Sequence, residues 1–136
     1  GVMMRLIVGE AYGLSSPVKS YLPMFFIDVV ASKDSLISKP HPSQETAIFL
    51  ISGKVKVDGI IYGEGEFVLL DSSDNEITMV ECGRFVMLGG DKFEQVPHLR
   101  WNFVSFSEKR IEQAIDDWKK GRFPSIPGDD KEFIPL

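Results

Sequence analysis

Residues 46–71 read TAIFLISGKVKVDGIIYGEGEFVLLD, three apolar runs of strand length separated by glycines where a chain must turn. The alternating sets Thr46, Ile48, Leu50 and Ala47, Phe49, Ile51 are both apolar in character, which predicts an internal strand lying between two layers. Val55 and Val57 alternate with Lys54 and Lys56, so the next strand has one buried and one wet face. Asp58-Gly59 supplies the positive-φ pair that a two-residue hairpin turn prefers. Gly63 and Gly65 bracket a second tight turn before a strand at Phe67 to Leu70, and Asp71 to Asn75, DSSDN, is turn chemistry.

On the N-terminal side, Met3 to Gly9 reads as a strand, with Met4, Leu6 and Val8 on one face and Met3, Arg5 and Ile7 on the other. Residues 13–23 form a Ser, Gly and Pro-rich loop, and Met24 to Ala31, MFFIDVVA, is an apolar strand interrupted by Asp28. The structural expectation for Asp28 is a carboxylate at a strand end bonded to backbone amides; the alternative is a functional acid. Residues 32–44 are polar and proline-punctuated, which predicts a loop. On the C-terminal side, Glu76 to Cys82 and Arg84 to Leu88 predict two strands meeting at Gly83. Five or six short strands joined by Gly and Asp turns indicate an all-β antiparallel sandwich or barrel over about residues 3–104.

From Ser105 the period changes. Ile111, Ala114, Ile115 and Trp118 form one stripe of an amphipathic helix over about 107–120, capped by Ser105 with Glu108, or by Ser107. Glu108, Glu112, Asp116 and Lys120 form its solvated face, with pairs at i,i+4. Lys119 and Lys120 suit the negative end of the helix dipole, and Gly121 suits a left-handed stop. Pro124, Pro127 and Pro135 make residues 122–136 an extended tail.

At 136 residues with 43% hydrophobic and 26% charged, the chain fits a single domain with a sizeable core. A net charge of −5 leaves no basic stripe for nucleic acid. The single cysteine, Cys82, cannot form an internal disulfide, and no apolar run approaches the roughly 20 residues needed to cross a bilayer. The expectation is a reducing, cytoplasmic setting. An opening Gly in place of Met reads as a processed or excised segment, or as a tag remnant ahead of a start at Met3 or Met4.

GEAYGLSSPV near the start, MLGG at Met87 to Gly90, WNFVSFSEKRIEQAIDDWKKGRF and the ending SIPGDDKEFIPL together resemble the C-terminal half of pirin-family proteins. The resemblance runs from Gly9 to Leu136, and its most specific part is the WNFVS block with the helix. It implies a cupin, a double-stranded β-helix or jelly-roll-like barrel, with one C-terminal helix. It also implies a partner: pirins pair this half with an N-terminal cupin that binds iron through three histidines and a glutamate. Some bacterial members open the flavonol ring of quercetin with dioxygen, and nuclear members act as transcription cofactors. None of those iron ligands maps onto this sequence, so the expected cofactor content of the chain is none. A structural or interaction role follows, with the N-terminal cupin or a second copy as partner. The competing reading is half of a quercetin 2,3-dioxygenase-like oxygenase.

A metal-binding cupin needs two histidines and a glutamate converging at one barrel end, followed by a glycine. With Gly53 as that glycine, the glutamate slot falls on Thr46 and the histidine slots fall on Pro40 and Pro42, or on Lys39 and His41. Glu45 is one step off and faces the other way. In the second cupin motif, starting from Gly65, the slots are Asp71, Ser73 and Glu76, with Val80 where an asparagine often stands. His41 and Glu76 are the remaining ligand candidates, short of the three that a catalytic centre needs. His41, Thr46 and Glu76 are therefore candidates for an empty, small-molecule-binding barrel mouth.

His98, Arg100 and Trp101, in VPHLRWN, form the other candidate cluster. Arg100 and His98 suit an anionic or phenolic ligand beneath Trp101. The structural alternative buries Trp101 under the helix and leaves His98 partly exposed. Cys82, beside Gly83 in an apolar strand, reads as an inert core thiol. No catalytic residue is assigned.

Overall fold

The computed structural model describes residues 1–71, 76–129, 131–132 and 134–136. They group into two compact units, Gly1–Lys92 and Phe93–Leu136.

The first unit contains β1 (Val2–Ala11), β2 (Leu14–Ser15), β3 (Met24–Ala31), β4 (Leu36–Ser38), β5 (Glu45–Ser52), β6 (Val55–Val57), β7 (Ile60–Tyr62), β8 (Phe67–Leu70), β9 (Glu76–Met79) and β10 (Gly83–Gly90). Six of them form a sheet in the order β2-β1-β3-β10-β5-β8, and four form a second sheet in the order β4-β9-β6-β7. Every described pairing is antiparallel. Phe25, Ile27, Ile48, Leu50, Phe85 and Met87 of the larger sheet meet Ile37, Val55, Ile77 and Met79 of the smaller in one buried cluster. Each such side chain contributes about 1.5–3 kcal/mol by leaving water. This interleaving of two apolar faces is the main stabilising feature of the unit.

The meander forms as its sequence dictates. Asp58 and Gly59 take φ of 49° and 83° between β6 and β7. At the next turn the Glu66 carboxylate accepts the Gly63 N–H at 2.6 Å. Strand β5 is internal, flanked by β10 and β8. Its inner residues Thr46, Ile48 and Leu50 are buried, but Phe49 and Ile51 on the other side are exposed, so the expected second covering layer is met only at Ala47.

Three further expectations are corrected. A bulge between Leu6 and Val8 breaks the alternation of β1: Leu6 pairs with inward Ile27, whereas Val8 pairs with outward Phe26. Val8 therefore leaves the face it was expected to share with Met4 and Leu6. Beyond the bulge, Gly9 has φ of 83°, and a Cβ there would lie 1.7 Å from the Met24 carbonyl oxygen, so only glycine fits. The predicted loop over 32–44 contains β4, whose Ile37 is buried and pairs with Ile77. Strand β9 ends at Met79; the N–H groups of Val80 and Glu81 turn to the Lys54 carbonyl, and Cys82 is exposed rather than a core thiol. Most of the predicted 71–75 turn, with Ser73, lies outside the described residues.

In the second unit, β11 (His98–Arg100) and β12 (Phe103–Ser105) form their own antiparallel hairpin. Helix α1 (Glu108–Lys119) follows, N-capped at Ser107 without a side-chain cap bond. The Ser105–Glu108 capping box does not form, because Ser105 Oγ accepts the Ser107 N–H instead, at 3.1 Å. Gly121 takes the expected left-handed conformation, φ 62°. Lys120 pairs with Asp116 at 2.7 Å, and Arg122 bridges Asp116 and Asp117. The tail bends at an Ile126–Asp129 bridge, and the Trp118 indole N–H donates to the Ile134 carbonyl at 2.8 Å. No helix among the described residues is long and apolar enough to cross a membrane.

Candidate functional site

Two features of the first unit are candidates for a functional role. The first is the outer face of the six-stranded sheet. Directly opposed residues of antiparallel strands share a face. The pairings make Val8, Phe26, Leu88, Ala47 and Leu69 consecutive partners across five strands, one wholly apolar row. The adjacent row runs Arg5, Asp28, Val86, Phe49 and Phe67. At its far edge Phe67 is 57% and Leu69 77% exposed.

Asp28 sits inside this face. Arg84 grips it with two parallel bonds, Nε to Oδ1 at 2.7 Å and Nη2 to Oδ2 at 3.1 Å. The Asp28 side chain is only 11% exposed. The Arg84 hydrogen bonds, followed by the charges of Arg84 and Arg5, hold its carboxyl below the usual carboxylate range against the opposing effect of burial. Its partner is thus a side chain two strand positions away on β10, not the backbone amides that the sequence led us to expect. A bidentate arginine is invisible to strand periodicity, since Asp28 and Arg84 are far apart in sequence.

The second feature is a cavity of about 380 Å³ lined by Glu10, Tyr21, Met24, His41 and Gln44 among others. His41 Nε2 lies 3.1 Å from the Glu10 carbonyl oxygen, and its ring is 6.1 Å from that of Phe25. Gln44 donates through Nε2 to Asp91 Oδ1 at 2.8 Å, while its buried Oε1 has no partner among the described residues. Beside it, buried Thr46 donates to the Gln44 carbonyl at 3.2 Å. Tyr12 donates to the Ser38 carbonyl oxygen, and burial pushes its phenol up to about 12.

The sequence-derived site residues do not converge. His41 lines the cavity, but neither Thr46 nor Glu76 does. Glu76 is exposed on β9, opposite Ser38. His98, Arg100 and Trp101 belong to the second unit. His98 and Arg100 share one face of the β11–β12 hairpin, opposed to Ser105 and Phe103. Trp101 occupies the turn at φ 54°, a strained value for a bulky residue, and is 43% exposed. Its ring packs 5.0 Å from Trp118 of the helix and 5.6 Å from Phe103. The ring is thus part of an aromatic cluster with Phe103 and Trp118. Among the described residues no group of three or more His, Cys, Asp or Glu is placed to hold a metal. The cavity's lining offers one imidazole, His41, and one carboxylate, Glu10, short of the three protein ligands that a catalytic iron centre needs.

Two antiparallel sheets closing on one apolar filling form the β-sandwich architecture to which cupins belong. Solved structures agree: the chain superposes on Quercetin 2,3-dioxygenase from Acinetobacter baumannii with a TM-score of 0.84 at 27% identity, covering 100% of this chain and 47% of that one. The chain belongs to the pirin family, for the model of the Pirin C-terminal cupin domain matches residues 26–124. It is 35% identical to the Pirin-like protein of Caulobacter vibrioides, over 100% of this chain and 47% of that protein. It is 27% identical to Pirin of Mus musculus, over 90% of this chain and 45% of that one. The chain spans about half the length of these relatives.

Proposed function

We propose that the chain is the interaction half of a pirin, a cytoplasmic cupin domain with no metal or catalytic group of its own. It docks another cupin domain, the N-terminal one of an intact pirin or a second copy of itself, on the outer face of its six-stranded sheet. The observation that carries this reading is the pair of largely apolar rows ending at exposed Phe67 and Leu69. The water-facing part of these rows lies at Phe49, Phe67 and Leu69, and contiguous exposed apolar side chains of this kind are characteristic of an interaction surface. The net charge of −5 favours a protein partner over nucleic acid or an anionic membrane. The test is co-expression with the N-terminal half of the Caulobacter vibrioides relative. Co-purification that is lost in Leu69→Asp supports the reading; co-purification unaffected by that variant removes the outer face from it.

Relatives named as quercetin 2,3-dioxygenases support a second, enzymatic reading, in which this half supports an oxygenase whose iron sits in the other half. Oxygen uptake with a flavonol by the co-purified pair, absent from either half alone, is the expected signature. The cavity at His41, with its unpartnered Gln44 carbonyl, supports a small hydrogen-bond-donating ligand in this half. Ligand-dependent thermal shifts abolished by Gln44→Met would establish that role.

A further inference from the structure

The charges on the outer face are segregated along the strand direction. Arg5, Asp28 and Arg84 lie toward one end, a cluster with one net positive charge. Glu10 and Glu45 lie toward the other. Glu10 is exposed two residues beyond outward Val8 and is flanked by buried Gly9 and Ala11; Glu45 is exposed and opposes Gly90, next to inward Thr46. Between the two ends lies the row Val8, Phe26, Leu88, Ala47, Leu69. A two-fold axis parallel to the sheet, just outside its outer face and crossing the strands over the Val8–Leu69 row, maps the positive end of one copy onto the acidic end of another. It brings Arg5 opposite Glu10 of the other copy, while the row Val8, Phe26, Leu88, Ala47, Leu69 meets itself.

We infer that the outer face is self-complementary and that its occupant is a second copy of this chain in a symmetric, face-to-face dimer. The inference rests on the outer face being the docking surface proposed above. An isologous interface requires one patch to complement itself, and a face that is basic at one end and acidic at the other does so. Five strands about 4.8 Å apart and four rows about 7 Å apart span roughly 400 Å² per copy, the size of a weak, concentration-dependent interface. Charge segregation also favours this orientation, because the alternative two-fold, running along the strands, sets Arg84 against its own counterpart and leaves Arg5 opposite apolar Phe67.

Charge reversal tests this with the chain alone. Sedimentation equilibrium should show a monomer–dimer equilibrium that weakens about tenfold or more in Arg5→Glu and in Glu10→Arg, with circular dichroism confirming both folds. Mixing the two variants should restore dimerisation to within about threefold of the wild type, because each interface then pairs opposite charges at both ends. Glu45→Lys, which leaves the cavity residues intact, should weaken self-association in the same direction. A chain that stays monomeric at all concentrations, or a mixture no better than its components, overturns the dimer. Failure of the two readings is separable: self-association indifferent to all charge variants overturns the dimer, whereas capture of the N-terminal half unaffected by Leu69→Asp overturns the docking face itself.

Discussion

The two faces of the six-stranded sheet are built from the same strands and nearly the same residue types, yet they meet different surroundings. On the inner face Phe25, Ile48, Phe85 and Met87 are completely enclosed by the second sheet. On the outer face Phe49, Phe67 and Leu69 keep much of their surface in water. Alternation along a strand assigns residues to faces but does not say what lies over each. Apolar residues on both sides of a strand thus have two physical readings: a second layer of the same chain, or a surface awaiting another. Here β5 is internal within its sheet, and its outer side is nonetheless open at Phe49 and Ile51, though covered at Ala47.

If this contrast is energetic, substitutions on the two faces must differ sharply. The largest effect belongs to Phe85→Ala. Its ring is fully buried between the sheets, and removing it should cost about 3–5 kcal/mol, read by denaturant unfolding. A cost near that of an exposed residue would mean the sheets are not closely packed. Gly89→Ala probes the inner face from the opposite direction. An added Cβ would meet the Glu45 carbonyl oxygen at 2.3 Å and the Phe25 ring at 2.5 Å. Backbone must shift to admit it, and the expected loss is about 1–3 kcal/mol.

What could be read from the sequence was what local chemistry determines. Asp58-Gly59, the Gly65 turn, the alternation at Val55 and Val57, the helix stripe and the Gly121 stop all depend on neighbours within a few residues. The errors arose where a long-range partner or an irregularity decided the outcome. One extra residue at the β1 bulge moved Val8 to the outer face, and no composition rule flags an Ile as a bulge. Strand β4 is three residues long and owes its existence to pairing with β9. Tyr12 precedes Gly13 in the β1–β2 turn with φ of 51°, although tyrosine carries no turn signal comparable to Asp58. The candidate site was less legible than the fold for the same reason. His41 was singled out, but the groups beside it, Glu10, Tyr21 and Gln44, come from distant stretches. His98, Arg100 and Trp101 were grouped by sequence proximity, and the hairpin then aimed Trp101 into an aromatic cluster.

The charged element of the outer face should produce a smaller, pH-dependent effect. The folded carboxyl of Asp28 titrates below its unfolded value of 3.8, chiefly through the Arg84 hydrogen bonds. Its stabilisation is therefore fully present above that value and is lost as pH falls through the lower folded value. The difference in unfolding free energy between the wild type and Asp28→Asn should hold constant from about pH 7 to about pH 5 and shrink below about pH 4. A difference that persists unchanged into stronger acid would show that Arg84 does not depend on the ionised form. Because Arg84 is half in water, this loss should remain a fraction of that from Phe85→Ala.

The smallest effect on folding is the sharpest test of the contrast. Leu69 is the most exposed member of the apolar row, so Leu69→Ser should change the stability of the isolated monomer by no more than about 0.5 kcal/mol. The measurement belongs at low concentration, because binding linked to the folded state adds stability that grows with protein concentration. At high concentration the same substitution should lower the apparent unfolding temperature, since it removes apolar surface from the interface and not from the core. A monomer cost of about 2 kcal/mol or more would place Leu69 under cover within its own chain. The outer face would then be a second core, and the difference between the two sides of the sheet would disappear.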